Sequence, residues 1–230
     1  MIAHSSPMES FSAAASAMAD DHHVLDIVAA LLVDCVALLP AESAAVLLRQ
    51  GEGIMPLATT SHRASEIELL QMQSREGPCI ESLVTGAPVT ASGSDEIVER
   101  WNLVGEAIVQ AGFEHVTAVP MRWHDQVLGG LNIFRADPVP LTPEEDTVAE
   151  GFANMAALAV VAPADLPVER LAARVAEAVQ ARSLVEQAKG ALAQTHGVDL
   201  GEAYDLLVEQ AGDELALTSA AQKVLRSQYA

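Results

Sequence analysis

The sequence predicts an α+β fold: an antiparallel sheet flanked by helices, followed by a C-terminal all-α three-helix bundle. Three observations carry this. Short apolar runs bounded by Gly, Pro and polar turns recur between residues 44 and 134, a strand pattern. Two long apolar-faced segments, 20–39 and 142–161, enclose those runs and supply helices to cover the sheet. Beyond residue 168 the apolar spacing is helical throughout. The chain divides accordingly into a flexible N-terminal arm over 1–20, an α+β domain over 21–162, a linker over 163–167 and a helical domain over 168–230.

Taken in order, residues 1–20 are rich in Ser and Ala and read as a poorly ordered or weakly helical arm. Val24, Ile27, Val28, Leu31, Leu32, Cys35, Val36 and Leu39 then form one broad apolar face, and Pro40 stops that helix. Residues 44–48 and 54–58 are short strands around a tight turn at 50–53. Residues 60–74 read as a helix. The Gly/Pro-punctuated stretch 77–89 reads as a turn, a short helix and entry to another strand, and 99–111 is helical up to Gly112. Strands at 116–121 and 126–134 meet in a hairpin around His124 and Asp125. Thr142 caps the closing helix, with Pro143 in its first turn and Glu145 three residues on.

In the helical domain Leu171, Ala178, Val185 and Leu192 recur seven apart on one face, while Arg182, Glu186 and Lys189 define a neighbouring, solvent-side stripe. Gly190 interrupts that helix at a cost of about 1 kcal/mol against Ala, which implies close packing or close approach by a ligand. Gly197 ends the helix as a left-handed cap, and Asp199 with Glu202 opens the next as a capping-box pair. Leu217, Ala221, Val224 and Leu225 build the third helix.

Composition narrows the function. The formal net charge is −20, the wrong sign for non-specific nucleic-acid affinity. The charge is uneven: residues 1–164 carry −16 and residues 165–230 only −4. Aromatics make up 3% of the chain, which excludes base-stacking platforms built on exposed Phe and Tyr. Cys35 and Cys79 provide neither a disulfide framework nor metal-ligand spacing, which fits a reducing cytoplasm. No Lys or Arg precedes Arg49, so the start does not read as a signal peptide, and apolar runs such as 155–163 are too short to span a bilayer. No nucleophilic triad, phosphate-cradling Gly loop or carboxylate dyad stands out, so neither a catalytic residue nor a metal site is assigned.

Two resemblances sharpen this reading. The pattern Arg182…Val185-Glu-Gln-Ala-Lys-Gly190…Leu192…His196-Gly197…Glu202-Ala-Tyr…Leu206-Leu207…Ala211 resembles the ANTAR family, the RNA-binding module of bacterial transcription antiterminators. The resemblance covers roughly 168–228 and implies a three-helix module that binds paired stem-loops in a nascent messenger RNA leader, usually as a dimer. Gly77-Pro-Cys-Ile, Thr85-Gly-Ala-Pro-Val89, Ala118-Val-Pro-Met121 and Leu128-Gly-Gly-Leu-Asn-Ile133 resemble GAF domains of actinobacterial regulators over roughly 22–162. That implies a small-molecule or redox sensor which often dimerises through its terminal helices; the ligand, and with it any cofactor, is unknown. Together they imply a cytoplasmic, non-enzymatic homodimer in which a GAF sensor controls an ANTAR module.

The resemblance implies RNA contacts at Arg182, Lys189, Gly190 and His196; the alternatives are a solvated salt-bridge stripe through Glu186 and, for His196, an interaction with the helix dipole. Lys223 and Arg226 are late-helix charges, either RNA-facing or capping. Cys79, Trp101 and Trp123 are the candidate ligand-binding residues. Cys79 is either a sensor thiol at a helix start or a residue packed under the turn, and either tryptophan has core or interface packing as its alternative. The chain departs from its relatives in placing Asn102 after Trp101, where Pro is common, and Asp213-Glu214 where base is usual. Those acids favour an alternative in which the bundle has lost RNA affinity and serves dimerisation or protein contact.

Overall fold

In the computed structural model, helix α2 (Val24–Leu38) stops where the sequence requires it. Leu39, held before Pro40, is extended at φ −102 and ψ 138, and strand β1 (Ser43–Gln50) follows. The structure describes residues 3–20, 22–51, 53–161, 168–212 and 216–228. The linker expected at 163–167 and the acidic pair Asp213 and Glu214 lie outside the described residues.

Strands β2 (Gly53–Thr59), β3 (Val89–Ser92), β4 (His115–Trp123) and β5 (Gln126–Arg135) join β1 in one sheet of order β2-β1-β5-β4-β3. Every neighbouring pair is antiparallel. Strand alternation divides the side chains between two layers. Ala44, Val46, Leu48, Val119, Met121, Leu131 and Ile133 join the core beneath α2 and helix α6 (Pro143–Val161). Leu47, Val116, Ala118 and Phe134 face the opposite layer, under helices α3 (His62–Ser74), α4 (Pro78–Thr85) and α5 (Ser94–Gln110).

Local chemistry sets several boundaries. Thr142 and Glu145 cap α6 reciprocally: the Thr142 N–H donates to Glu145 Oε2 at 2.7 Å, and the Glu145 N–H donates to Thr142 Oγ1 at 3.3 Å. Helix α5 begins at Ser94, earlier than the spacing suggests, and breaks its dihedrals at Trp101 and Asn102 (φ 36, ψ −114). The Asn102 amide holds this kink by donating to Glu76 Oε1 at 3.0 Å.

The N-terminal segment read as a flexible arm contains helix α1 (Pro7–Ala19), with Ser6 as N-cap. Phe11 meets Phe152 of α6 edge-on at 5.0 Å, and His4 Nδ1 lies 2.7 Å from buried Asp34 Oδ2 on α2. Burial of these few groups against α2 and α6 outweighs the weak pattern of the segment itself.

Helices α7 (Val168–His196), α8 (Leu200–Ala211) and α9 (Leu217–Gln228) form the C-terminal bundle. Ala178, Val185 and Leu192 are buried along the predicted face; the side chain of Leu171 lies outside the described residues. Gly197 is left-handed at φ 66, and Asp199 Oδ1 accepts from the N–H groups of Gly201 and Glu202. The bundle core is continuous with the α2/α6 core, so the two domains share one apolar layer.

Candidate functional site

The bundle seats its motif face on β2, an edge strand of the sheet, and on the exposed side of α3. Arg182 reaches from α7 to donate to Ser65 Oγ on α3 at 3.0 Å, and its other partner is Glu186 Oε1 at 3.3 Å. The Arg182 side chain is 11% exposed, and burial lowers its pKa from the usual guanidinium range while Glu186 opposes the shift. Tyr204 on α8 donates its hydroxyl to the Thr59 carbonyl at 2.8 Å, and burial pushes its phenol up to about 12. At the other edge of the seam Asp26 of α2 accepts from both the N–H (3.2 Å) and the hydroxyl (3.0 Å) of Thr218. A carboxylate of the N-terminal domain thereby caps the start of α9.

Lys189 is the largest departure from the sequence reading. It is 3% exposed, not part of a solvent-side stripe. Its ammonium lies 2.9 Å from Glu186 Oε2 and 5.5 Å from the centroid of the Tyr204 ring. The physical reason is Tyr204, which folds back from α8 and covers a stripe that α7 alone would leave wet. Gly190 is exposed, and a Cβ built there meets nothing within 4 Å, so close protein packing does not explain that glycine. His196 is exposed at the far end of α7. There Leu192, Thr195, His196, Gln210, Val224 and Ser227 line a groove of about 380 Å³, distant from the seam along the helices. Arg182, Lys189 and Tyr204 therefore form one cluster, and His196 belongs to another place.

The three candidate ligand residues do not converge. Trp101 is buried within the α5 layer, and its indole N–H donates to Glu81 Oε2 at 3.0 Å. Arg100 also donates to Glu81, and that contact, more than the indole, holds the carboxyl below its usual range. Trp123 packs at the rim of the α2/α6 core, on the other side of the sheet. Cys79 is fully buried beside Leu47, Ile54 and Leu83. Its backbone N–H donates to Gln71 Oε1 at 3.0 Å, and its sulfur sits where a Cβ on Gly130 would come within 2.8 Å. Burial drives both the Cys79 and the Cys35 thiol well upward, which suits packed residues, not reactive ones.

Between Cys79 and the seam lies a polar cluster that no sequence motif announced. Glu68, wholly buried on α3, accepts from Gln71 Nε2 and from Asn132 Nδ2, each at 2.7 Å. Burial raises the Glu68 carboxyl to about 8, opposed by the Asn132 hydrogen bond, the Arg182 charge and the Gln71 hydrogen bond. Asn132 Oδ1 is buried without a hydrogen-bond partner among the described residues. The sequence signal was available in principle: Glu68 and Gln71 are polar at i and i+3 on the side of α3 that also carries Ile67.

Known proteins place this architecture. The GAF domain family model matches residues 23–160, and the ANTAR domain model matches residues 173–225. The GAF domain from an Acinetobacter phosphoenolpyruvate-protein phosphotransferase superposes with a TM-score of 0.55 at 11% identity, covering 70% of this chain and 96% of that one. The phycoerythrobilin-bound GAF domain from a cyanobacterial phytochrome gives 0.52 at 12% identity, covering 68% and 95%. The reduced form of fRMsr of Staphylococcus aureus gives 0.51 at 12% identity, covering 69% and 97%. At such identity these likenesses show the fold alone. No curated protein matches the sequence.

The chain belongs to the GAF domain family, and an ANTAR domain follows its GAF domain. It is thus a two-domain regulator of the GAF–ANTAR type, built from domains whose roles are regulatory. Among the described residues no helix is long and apolar enough to cross a membrane.

Proposed function

We propose that this protein is a signal-responsive, RNA-binding transcription antiterminator, in which the GAF domain controls an ANTAR module that binds stem-loops in nascent messenger RNA leaders. The groove beside His196 is the observation that carries the reading. It is an accessible polar recess of the ANTAR module, with the His196 imidazole, the Gln210 amide and the hydroxyls of Thr195 and Ser227, the latter donating to the Val224 carbonyl, around a floor of Leu192 and Val224. Unpaired bases of RNA loops are recognised by this combination of hydrogen-bonding edges and packing surface. Lys223 lies one turn before Ser227 on α9 and Arg226 adjoins it, both exposed, so phosphate contacts are within reach of the same rim. Binding would hold the leader in its antiterminating form and let polymerase read through.

The reading places the protein in the cytoplasm and includes self-association through α2 and α6, whose Leu158 stays 40% exposed. It assigns no small-molecule ligand to Cys79, Trp101 or Trp123 jointly. The test is binding of leader stem-loop RNA across a salt series. His196→Ala should weaken binding, and Lys223→Ala should lower the salt slope by about one unit.

A second reading has its own support. The −20 charge and the burial of Lys189 and Arg182 suit a bundle used for protein contact. Absence of stem-loop binding by the wild type at low salt would favour it.

A further inference from the structure

We propose that RNA held at the His196 groove also extends along the bundle to the Arg182–Tyr204 side of α7 and α8, and that there it competes with the GAF domain. The inference rests on the reading that the module binds RNA and names how that binding is regulated. Among the described residues the GAF domain closes this face with Ser65 on Arg182, Thr59 on Tyr204 and Asp26 on the first turn of α9. The guanidinium, the motif's best bidentate phosphate ligand, has its accessible nitrogen spent on a serine hydroxyl and a carboxylate of its own helix. At 11% side-chain exposure it takes a phosphate only after the seam opens.

The seam joins an apolar layer continuous with the α2/α6 core to a few polar ties, and its packing leaves a cavity of about 20 Å³, room for one water, lined by Leu25, Leu57, Arg182, Tyr204 and Leu217 among others. Docking also costs solvation at the Arg182 guanidinium, where burial is the largest influence and the Glu186 charge compensates it only in part. Undocking returns Arg182 to water, or to a phosphate that neutralises it better than Ser65 does. A residue beneath the seam also links it to the GAF interior. Glu68 faces Arg182 on one side and holds Asn132 and Gln71 on the other, and Gln71 in turn holds the Cys79 N–H. A change in that interior that shifts Glu68 therefore alters the docked state, and linkage makes the effect reciprocal.

The experiment uses the full chain and a leader stem-loop RNA. Two variants alter the GAF side only: Asp26→Ala removes the trans cap, and Ser65→Arg sets like charge against Arg182. Hydrogen exchange over residues 59–65 and 179–189 reports opening without RNA. Both variants should speed that exchange and raise RNA affinity by about fivefold or more, the lower end of ordinary coupling. In the wild type, saturating RNA should speed exchange at residues 59–65, which docking covers; this readout needs no variant to fold. Opening without a gain in affinity, or RNA binding that leaves 59–65 protected, overturns the competition while leaving RNA binding itself standing. If neither the wild type nor a demonstrably opened variant binds any stem-loop RNA, the RNA reading falls and the competition falls with it.

Discussion

The Tyr204 hydroxyl of the ANTAR module donates to the Thr59 carbonyl of the GAF edge strand at 2.8 Å, while the ring of the same tyrosine covers the Lys189 ammonium. One side chain therefore ties the domains and dries the motif lysine. Tyr204→Phe separates the two roles. It keeps the ring and leaves the Thr59 carbonyl without this donor, so it should cost about 1 kcal/mol in urea denaturation. A loss below about 0.3 kcal/mol would mean that the hydroxyl contributes little to the seam.

Lys189 gives a second prediction. As a buried, paired residue it should not tolerate truncation: Lys189→Ala should lose about 1–2 kcal/mol, whereas Lys223→Ala, exposed on α9, should stay within about 0.5 kcal/mol. Lys189→Met keeps the stem and should recover part of the loss. Equal stability of Lys189→Ala and Lys223→Ala would show that the ammonium lies in water. For RNA binding, stability of Lys189→Ala must be checked first, since a loss of affinity could report unfolding.

The pH dependence of stability is set in part by Glu68. Its folded value of about 8 lies above the unfolded carboxylate value, so the native state keeps a proton that the unfolded state has lost. Stability should fall as pH rises through the interval between them, with a slope of at most about 1.4 kcal/mol per pH unit. His115 acts with the opposite sign: burial, then the Arg135 charge, lowers it to about 4, so its contribution is lost as pH falls below the ordinary imidazole range. Glu68→Gln should flatten the decline between about pH 6.5 and 8. A wild type and variant that run parallel there would refute the buried-acid assignment.

Cys79 and Gly130 predict a packing coupling. A Cβ on Gly130 would stand 2.8 Å from the Cys79 sulfur, so Gly130→Ala should destabilise by about 1–3 kcal/mol, and less in a Cys79→Ala background. In the native wild type neither Cys35 nor Cys79 should react with a thiol reagent at pH 8, and both should react once the chain is unfolded. Rapid native labelling of Cys79 would restore the sensor-thiol reading.

Much of the fold was legible because it is written in local periods. The apolar face of α2, the Pro40 stop, the Thr142 cap and the Gly197 cap are each decided within one or two turns of chain. The seam was not legible for the same reason. Arg182 and Ser65 lie 117 residues apart, and Tyr204 and Thr59 lie 145 apart, so no spacing relates them. A run of Arg182, Glu186 and Lys189 reads as solvated until Tyr204 and an edge strand cover it. Helix α1 was under-read because its burial depends on Phe152 and Asp34, far along the chain. The kink at Asn102 was marked in sequence only by an unusual neighbour of Trp101; its cause, the Glu76 contact, is tertiary.

Capture of the two-domain protein from crosslinked cells, followed by sequencing of bound RNA, decides whether the ANTAR module engages RNA stem-loops. Leader transcripts with paired stem-loops should be enriched, less so with His196→Ala and more so with Asp26→Ala. Recovery of no RNA above an untagged control, for both the wild type and Asp26→Ala, would contradict that engagement.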